Sequence, residues 1–533
     1  MNNIMIEIND CPLGLETEYQ TLFTKKASNF LAELFLEFEP RINQLYYDRC
    51  LRKYELKKST NSPQFLRTKQ RQDKTWMVKP VPGRLADRRL DLGDVSPSNS
   101  NHFYEALNAE VQGIQVDFDD GHCPTWRNQI VGLYNVYKVV HGKDDKILKS
   151  LKELPILMLR PRAWNMTEHN IMINGKKIPG AIVDFAILMY HNGSRLYEEN
   201  SGPCFYLSKL ESATEARLWN DIFIWTQNRL NIPHASIKAC VLIENILASF
   251  EMEEILFELK DHSLGLNCGI WDYAASIIAK FGNRSDFILP DRNKYVNMKR
   301  HFLKKYMELV VQVCHSRGAH ATGGMAAQIA NGVSPLKAII SKILEIQAGV
   351  DGFMVYDVEL VPYMNQLWNK ICNTKINQLD HIPTDLISEA DLLKMPSGGV
   401  TNIGLKHNVE VSILFVYNWL CGNGHFTYKD SVEDSATAEI SRSQVWQWIT
   451  HTAKLEENCE IITFELIREL TQNFVKSTIP SLDKKYLIAA ANIFLDIVSS
   501  AEPPDFITTY LNDHYVFRRI HGSSVINRYN HKL

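Results

Sequence analysis

Residues 236–273 constrain the fold more than any other part of the chain. They begin Ser236-Ile-Lys-Ala-Cys-Val-Leu-Ile-Glu244 and end Leu264-Gly-Leu-Asn-Cys-Gly-Ile-Trp-Asp272-Tyr273. Between these runs, the apolar residues of 249–261 recur at helical spacing. Two apolar runs of strand length therefore flank one helix, and each leads into a carboxylate. A strand–helix–strand unit lays its strands parallel, so both strand ends share one edge of a sheet. Glu244 and Asp272 should then face one cavity. Two hard oxygen donors there, with water and substrate completing the shell, suit a magnesium ion.

The same alternation runs through the middle of the chain. Strand-like runs occur at 76–81, 113–118, 156–160, 204–207, 237–244, 264–268, 320–322 and 353–356. Helix-like segments at 214–230, 249–261, 295–316 and 335–347 fill gaps between them. Eight such units predict an α/β fold of the (β/α)8 TIM-barrel kind. The third and fourth units are the least regular. Residues 15–58 read as helix, with Phe30, Leu31, Leu34, Phe35 and Phe38 on one face, and 56–72 as a polar, basic, solvated linker. After Leu360 the strand signal fades and helical patterns dominate. The expected division is an N-terminal helical clasp and linker over 1–75, the barrel over 76–378, and a C-terminal all-helical domain over 379–533.

Composition excludes several function classes. The chain has 533 residues, 45% hydrophobic and 22% charged, with a net charge of −3. That is a globular composition without the basic footprint of a nucleic-acid binder. No apolar run reaches the roughly 18 residues of a membrane span, and the N-terminus does not read as a signal peptide. Ten scattered cysteines without a Cys-x-x-Cys pair fit reduced, buried thiols of an intracellular protein.

Barrel enzymes carry their chemistry at the C-terminal ends of strands. There the sequence places Asp117, Asp119 and Asp120 after the second strand and Arg160 and Arg162 at the third. Glu244 and Asp272 close two later strands. Gly-x-Ser-x-Gly, Walker A, His-Glu-x-x-His and Gly-x-Gly-x-x-Gly patterns are absent. Trp446 and Trp448 read as helix packing.

Six segments together resemble the malate synthases of the shorter, A-type kind. They are Pro80-Val-Pro82 with Asp87-Arg-Arg89; Val116-Asp-Phe-Asp-Asp120 with Pro124-Thr-Trp126; Arg160-Pro-Arg-Ala-Trp164; residues 236–273; Arg317-Gly318 with Gly323-Gly-Met-Ala-Ala327; and Glu433-Asp-Ser-Ala-Thr-Ala-Glu-Ile-Ser-Arg442. The resemblance implies a barrel with an N-terminal clasp and a C-terminal helical plug. It implies magnesium-dependent condensation of glyoxylate with acetyl-CoA, releasing malate and CoA. Carried over by position, Glu244 and Asp272 match the metal ligands, Asp434 the catalytic base and Arg160 the catalytic arginine. Gly269, Trp271, Asp119 and Asp120 match substrate-binding positions, while the CoA contacts stay unassigned. Because Asp434 belongs to the C-terminal region, the site is expected between domains.

Departures from the family pattern gather near these positions. They are Ala163, Asn165, the run Glu244-Asn-Ile-Leu-Ala248, Ile270, Asp119, Gly121 and the run Val355-Tyr-Asp-Val-Glu-Leu360. They keep two alternatives open: a CoA-ester condensing enzyme for another 2-oxo acid, and a catalytically impaired acyl-CoA-binding homologue. The last residues, His531-Lys532-Leu533, resemble the Ser-Lys-Leu peroxisomal address. A peroxisomal import receptor is the partner that would read it, giving a peroxisomal or glyoxysomal location. Otherwise the protein is expected in the cytoplasm.

Overall fold

The computed structural model describes residues 4–58, 61–330, 335–478 and 481–522. Eight parallel strands close into a barrel: β1 Leu90–Val95, β2 Gly113–Asp117, β3 Ile156–Arg160, β4 Cys204–Leu207, β5 Lys238–Ile243, β6 Ser263–Cys268, β7 Ala321–Ala326 and β8 Gly352–Val355. Each pairs with the next, and β8 pairs with β1. A parallel barrel strand is covered by helices outside and by packed side chains inside, so it reads as a continuous apolar run. In β3 the run is Ile-Leu-Met-Leu-Arg, and all five residues are buried.

The first strand is a correction. Residues 76–81 are not in the sheet. Instead, Val78 N–H donates to Arg317 O at 2.9 Å and Lys79 N–H to Lys260 O at 2.8 Å. The true β1 is Leu-Asp-Leu-Gly-Asp-Val, whose acids mask its apolar pattern. Asp91 is buried, and its Oδ2 accepts hydrogen bonds from Arg88 at 3.1 Å and the Tyr206 hydroxyl at 3.0 Å. A Cβ at Gly93 would meet the Met325 sulfur at 2.6 Å, so any larger residue there would make the flexible Met325 side chain move.

Two helices, Glu16–Leu22 and Lys25–Lys58, replace the single helix expected at the N-terminus. The second buries Phe30, Leu31, Leu34, Phe35 and Phe38 against the barrel's helices. The stretch read as a solvated linker is partly docked. Its first residues continue the helix to Lys58, and Arg71 grips both oxygens of Glu254 at 3.1 and 2.9 Å. An unexpected antiparallel sheet of Ile6–Ile8, Thr167–Ile173 and Lys176–Pro179 is inserted after β3 and explains the irregularity there.

The C-terminal helices, chiefly Asn402–Leu420, Ser435–Thr450 and Lys484–Ser499, surround their own apolar cluster containing Trp419, Trp448 and Phe494. The indoles of Trp446 and Trp448 donate to Ser500 O and Leu289 O at 2.9 and 2.8 Å, as packing residues do. A Lys57–Glu502 ion pair of 3.0 Å ties the long N-terminal helix to this region. All ten cysteines are free and six are buried, but Cys50, Cys421 and Cys459 are exposed, contrary to expectation. Among the described residues, no helix is long and apolar enough to cross a membrane.

Candidate active site

Strand register assembles the site. Ile243 pairs with Cys268, so Glu244 and Gly269 leave the barrel side by side. Gly269 caps the helix Ile270–Phe281, and Asp272 sits in its first turn, where the helix dipole favours a carboxylate. A Cβ at Gly269 would lie 3.0 Å from the Glu244 Cβ, so the glycine lets the two segments touch. Likewise, Asp117 pairs with Arg160 across β2 and β3. The Asp117 carboxylate accepts the N–H groups of Asp119 and Gly121 at 2.8 and 2.6 Å. This tight turn turns the following acids back over the barrel mouth.

Asp434 arrives from the other side. A short hairpin, Phe426–Tyr428 and Ser431–Glu433, delivers it to the N-cap of helix Ser435–Thr450. Its carboxylate accepts the Thr437 N–H at 2.9 Å, and Thr437 Oγ1 accepts the Asp434 N–H at 2.9 Å. This reciprocal capping fixes the carboxylate's direction. The adjoining Ser435 hydroxyl donates to Asp120, joining the helical region to the barrel. Arg160, Glu244, Gly269, Trp271, Asp272, Asp120 and Asp434 all line one pocket.

The structure separates the roles of the two neighbouring acids. Asp120 joins Glu244 and Asp272, with one oxygen from each within 4.8 Å of the others. Asp119 is not on the pocket wall. It accepts the Ala163 N–H at 3.1 Å and pairs with Lys209 at 2.8 Å. Trp271 lies under the Arg292 guanidinium at 5.1 Å. Of the departures, Ile270 lines the pocket but Ala163 and Asn165 do not. Asn165 donates instead to the Thr509 hydroxyl at 2.9 Å, an interdomain contact.

Two buried residues escaped the sequence reading. Lys209 follows β4 in a left-handed conformation, φ 55°. Its ammonium lies 2.8, 2.7 and 3.2 Å from Asp119, Asp120 and Asp272, and its backbone N–H donates to Glu244 at 2.8 Å. Its position just past a strand end was the available signal. Asp94, at the end of β1, was hidden by the misplaced strand.

Charge is the dominant property of this pocket. Asp94, Asp117, Asp119, Asp120, Glu244, Asp272 and Asp434 surround two cations, Arg160 and Lys209. Burial pushes the Glu244 carboxyl up to about 7, against the pull of Lys209 and with the push of Asp272. Burial also raises Asp272. Burial works against the Arg160 charge, but Asp117 and Asp119 outweigh it and hold the guanidinium protonated. This excess of carboxylates fits a divalent cation. The converging donors of Asp120, Glu244 and Asp272 are all oxygen, and the nearest cation to Asp272 Oδ2 is the Lys209 ammonium at 3.2 Å, shared with Asp119 and Asp120. A larger cavity of about 390 Å³ lies under the long N-terminal helix, but its rim arginines Arg41, Arg49 and Arg52 are already paired with Asp221, Glu215 and Glu251.

Residues 156–395 match the family model "Malate synthase, TIM barrel domain", and residues 399–515 match "Malate synthase, C-terminal". A malate synthase of Dictyostelium discoideum is 37% identical over 523 residues, covering 93% of this chain and 95% of that one. One from Myxococcus xanthus is 39% identical over 467 residues, covering 85% of each. A glyoxysomal malate synthase of Glycine max is 36% identical over 506 residues, covering 89% and 88%. With family models matching residues 156–395 and 399–515 and relatives this similar along most of its length, the chain belongs to the malate synthase family.

Proposed function

We propose that this protein condenses glyoxylate with acetyl-CoA and hydrolyses the product to malate and free CoA. The observation that carries this reading is the convergence of the Asp120, Glu244 and Asp272 carboxylates with Arg160 and Asp434 in one buried pocket. In this reading Glu244 and Asp272, with Asp120 beside them, hold magnesium, which supplies a Lewis acid for the glyoxylate aldehyde. Asp434 takes a proton from the acetyl methyl group. A carboxylate is a weak base for a thioester α-proton, so the enolate oxygen needs a fixed positive partner. Arg160 supplies it and stays charged throughout. The enolate carbon then bonds to the aldehyde carbon as the carbonyl π pair moves onto the aldehyde oxygen, which takes up a proton to become the hydroxyl of malate. Water cleaves the thioester, leaving malate and the CoA thiol. Gly269 and Trp271 shape the wall beside Glu244, while Asp119 holds Lys209 and the backbone of Ala163.

The division into clasp 1–75, barrel 76–378 and helical plug 379–533 belongs to this proposal. The separate apolar cluster of the C-terminal helices supports it. A peroxisomal location also belongs to this proposal, in keeping with relatives named glyoxysomal; His531-Lys532-Leu533 lie outside the described residues.

Ile270 in the pocket wall keeps the choice of 2-oxo acid a real question. A panel of 2-oxo acids with acetyl-CoA, read by product mass, should show glyoxylate exceeding pyruvate by about tenfold or more in kcat/KM, the scale at which a pocket resolves one extra methyl. Preference for pyruvate would replace malate synthesis with a related condensation.

A further inference from the structure

Asp94 is the pocket acid that neither the metal group nor the enolate needs. It closes β1 with φ 52°, a left-handed conformation that costs a non-glycine residue about 1 kcal/mol or more. It is only 3% exposed. Its backbone is pinned, with the N–H donating to Gln115 Oε1 at 3.1 Å and the C=O accepting from Ser96 N–H at 3.0 Å. Its Oδ1 lies 3.7 Å from Arg160, too far for a hydrogen bond. Its Oδ2 is buried and receives no hydrogen bond among the described residues. The Asp434 carboxylate lines the same pocket and lies within hydrogen-bonding reach of the Asp94 carboxyl. Two ionised carboxylates in contact repel, and a buried, unpartnered carboxylate oxygen is costly. One proton placed between them removes both penalties.

We propose that Asp94 is a positioning residue for the base: a neutral carboxyl whose hydroxyl donates to the Asp434 carboxylate and holds it toward the pocket. This rests on the assignment of Asp434 as the base. The groups facing Asp94 are Asp434 from the helix N-terminus, Asp117 and Arg160 from β2 and β3, and Tyr356 after β8. Burial first, then Asp434 and Asp117, drive the Asp94 carboxyl well above the usual carboxylate range, and Arg160 only partly opposes them. The residue that donates therefore differs from the residue that accepts. Asp434 has the Thr437 N–H to stabilise its charge, whereas the Oδ2 of Asp94 has no donor. With one of its oxygens capped by Thr437 and a second hydrogen bond from Asp94, the Asp434 carboxylate is held in a single orientation before substrate binds.

The test compares Asp94→Asn with Asp94→Gly. Asparagine keeps a neutral donor of the same shape. Glycine removes the donor but suits the left-handed backbone. Asp94→Asn should keep kcat within about threefold of the wild type. Asp94→Gly should lose about tenfold or more in kcat, with the KM for acetyl-CoA changed less than twofold and a melting temperature no lower than that of the wild type, because strain and a buried acid have been removed. A glycine variant with full kcat, or an asparagine variant as slow as the glycine one, overturns the proposal. Infrared difference spectra of wild type minus Asp94→Asn at neutral pH provide a readout independent of turnover. They should contain the carbonyl stretch of one neutral carboxylic acid. If only ionised carboxylate bands change, Asp94 is charged and the proposal fails, whatever reaction the protein catalyses.

Discussion

Asp434→Asn should reduce kcat by about a thousandfold and leave the fold intact. General-base catalysis of this kind contributes about 10²–10⁴-fold, and the α-proton of a thioester lies at the demanding end. The substitution isolates chemistry from structure because Asp434 is also a helix cap. Asparagine caps as well as aspartate does, since its carbonyl oxygen can still accept the Thr437 N–H. The reciprocal bond from the Asp434 N–H to Thr437 Oγ1 is made by backbone and is untouched. Thermal stability should therefore stay within about 0.5 kcal/mol of the wild type. Steady-state thiol release and a melting curve on the same sample check both halves. Full activity in this variant would show that another group takes the proton.

Arg160→Met should damage both activity and stability. The guanidinium lies among Asp94, Asp117, Asp119 and Asp120, with pair distances of 3.7, 3.6 and 3.5 Å to the first three and closer contact to the fourth. It is 3% exposed, so none of these acids can turn to bulk water when it is lost. Breaking a buried pair from one side costs about 3–5 kcal/mol. Loss of the enolate's positive partner should cost a further 10²–10³-fold or so in kcat. Lysine should rescue only part of either effect, because one point charge cannot fork across several carboxylates. Denaturant unfolding and kcat measured side by side separate the two losses. If Arg160→Met were as stable as the wild type, the acids would not be the charged cluster described above.

Seven barrel strands were legible in the sequence, as was the meeting of Arg160, Glu244, Asp272 and Asp434 in one pocket, and what was missed has a common cause. Strands β2 to β8 are apolar because helices cover them and packed side chains fill the barrel, and hydropathy reads that directly. β1 is equally buried, yet it carries Asp91 and Asp94, which face groups distant in sequence: Tyr206 for one, Asp434 for the other. No local pattern can reveal a partner 340 residues away. Lys209 was overlooked for a similar reason. A lysine past a strand end normally points to water, and only the assembled barrel shows three carboxylates around its ammonium. Asp119 and Asp120 are adjacent and chemically identical, so sequence could not divide them. The turn held by Asp117 sends one to the Ala163 backbone and the other to Glu244 and Asp272.

Acids from the barrel and from the C-terminal helices line one pocket, and free-thiol release from acetyl-CoA measures most directly that they serve one reaction. With purified protein, thiol should accumulate only when glyoxylate and magnesium are both present, with one malate formed per thiol, and chelating the metal should stop it. Undiminished thiol release after chelation, or thiol released without malate, would contradict the account.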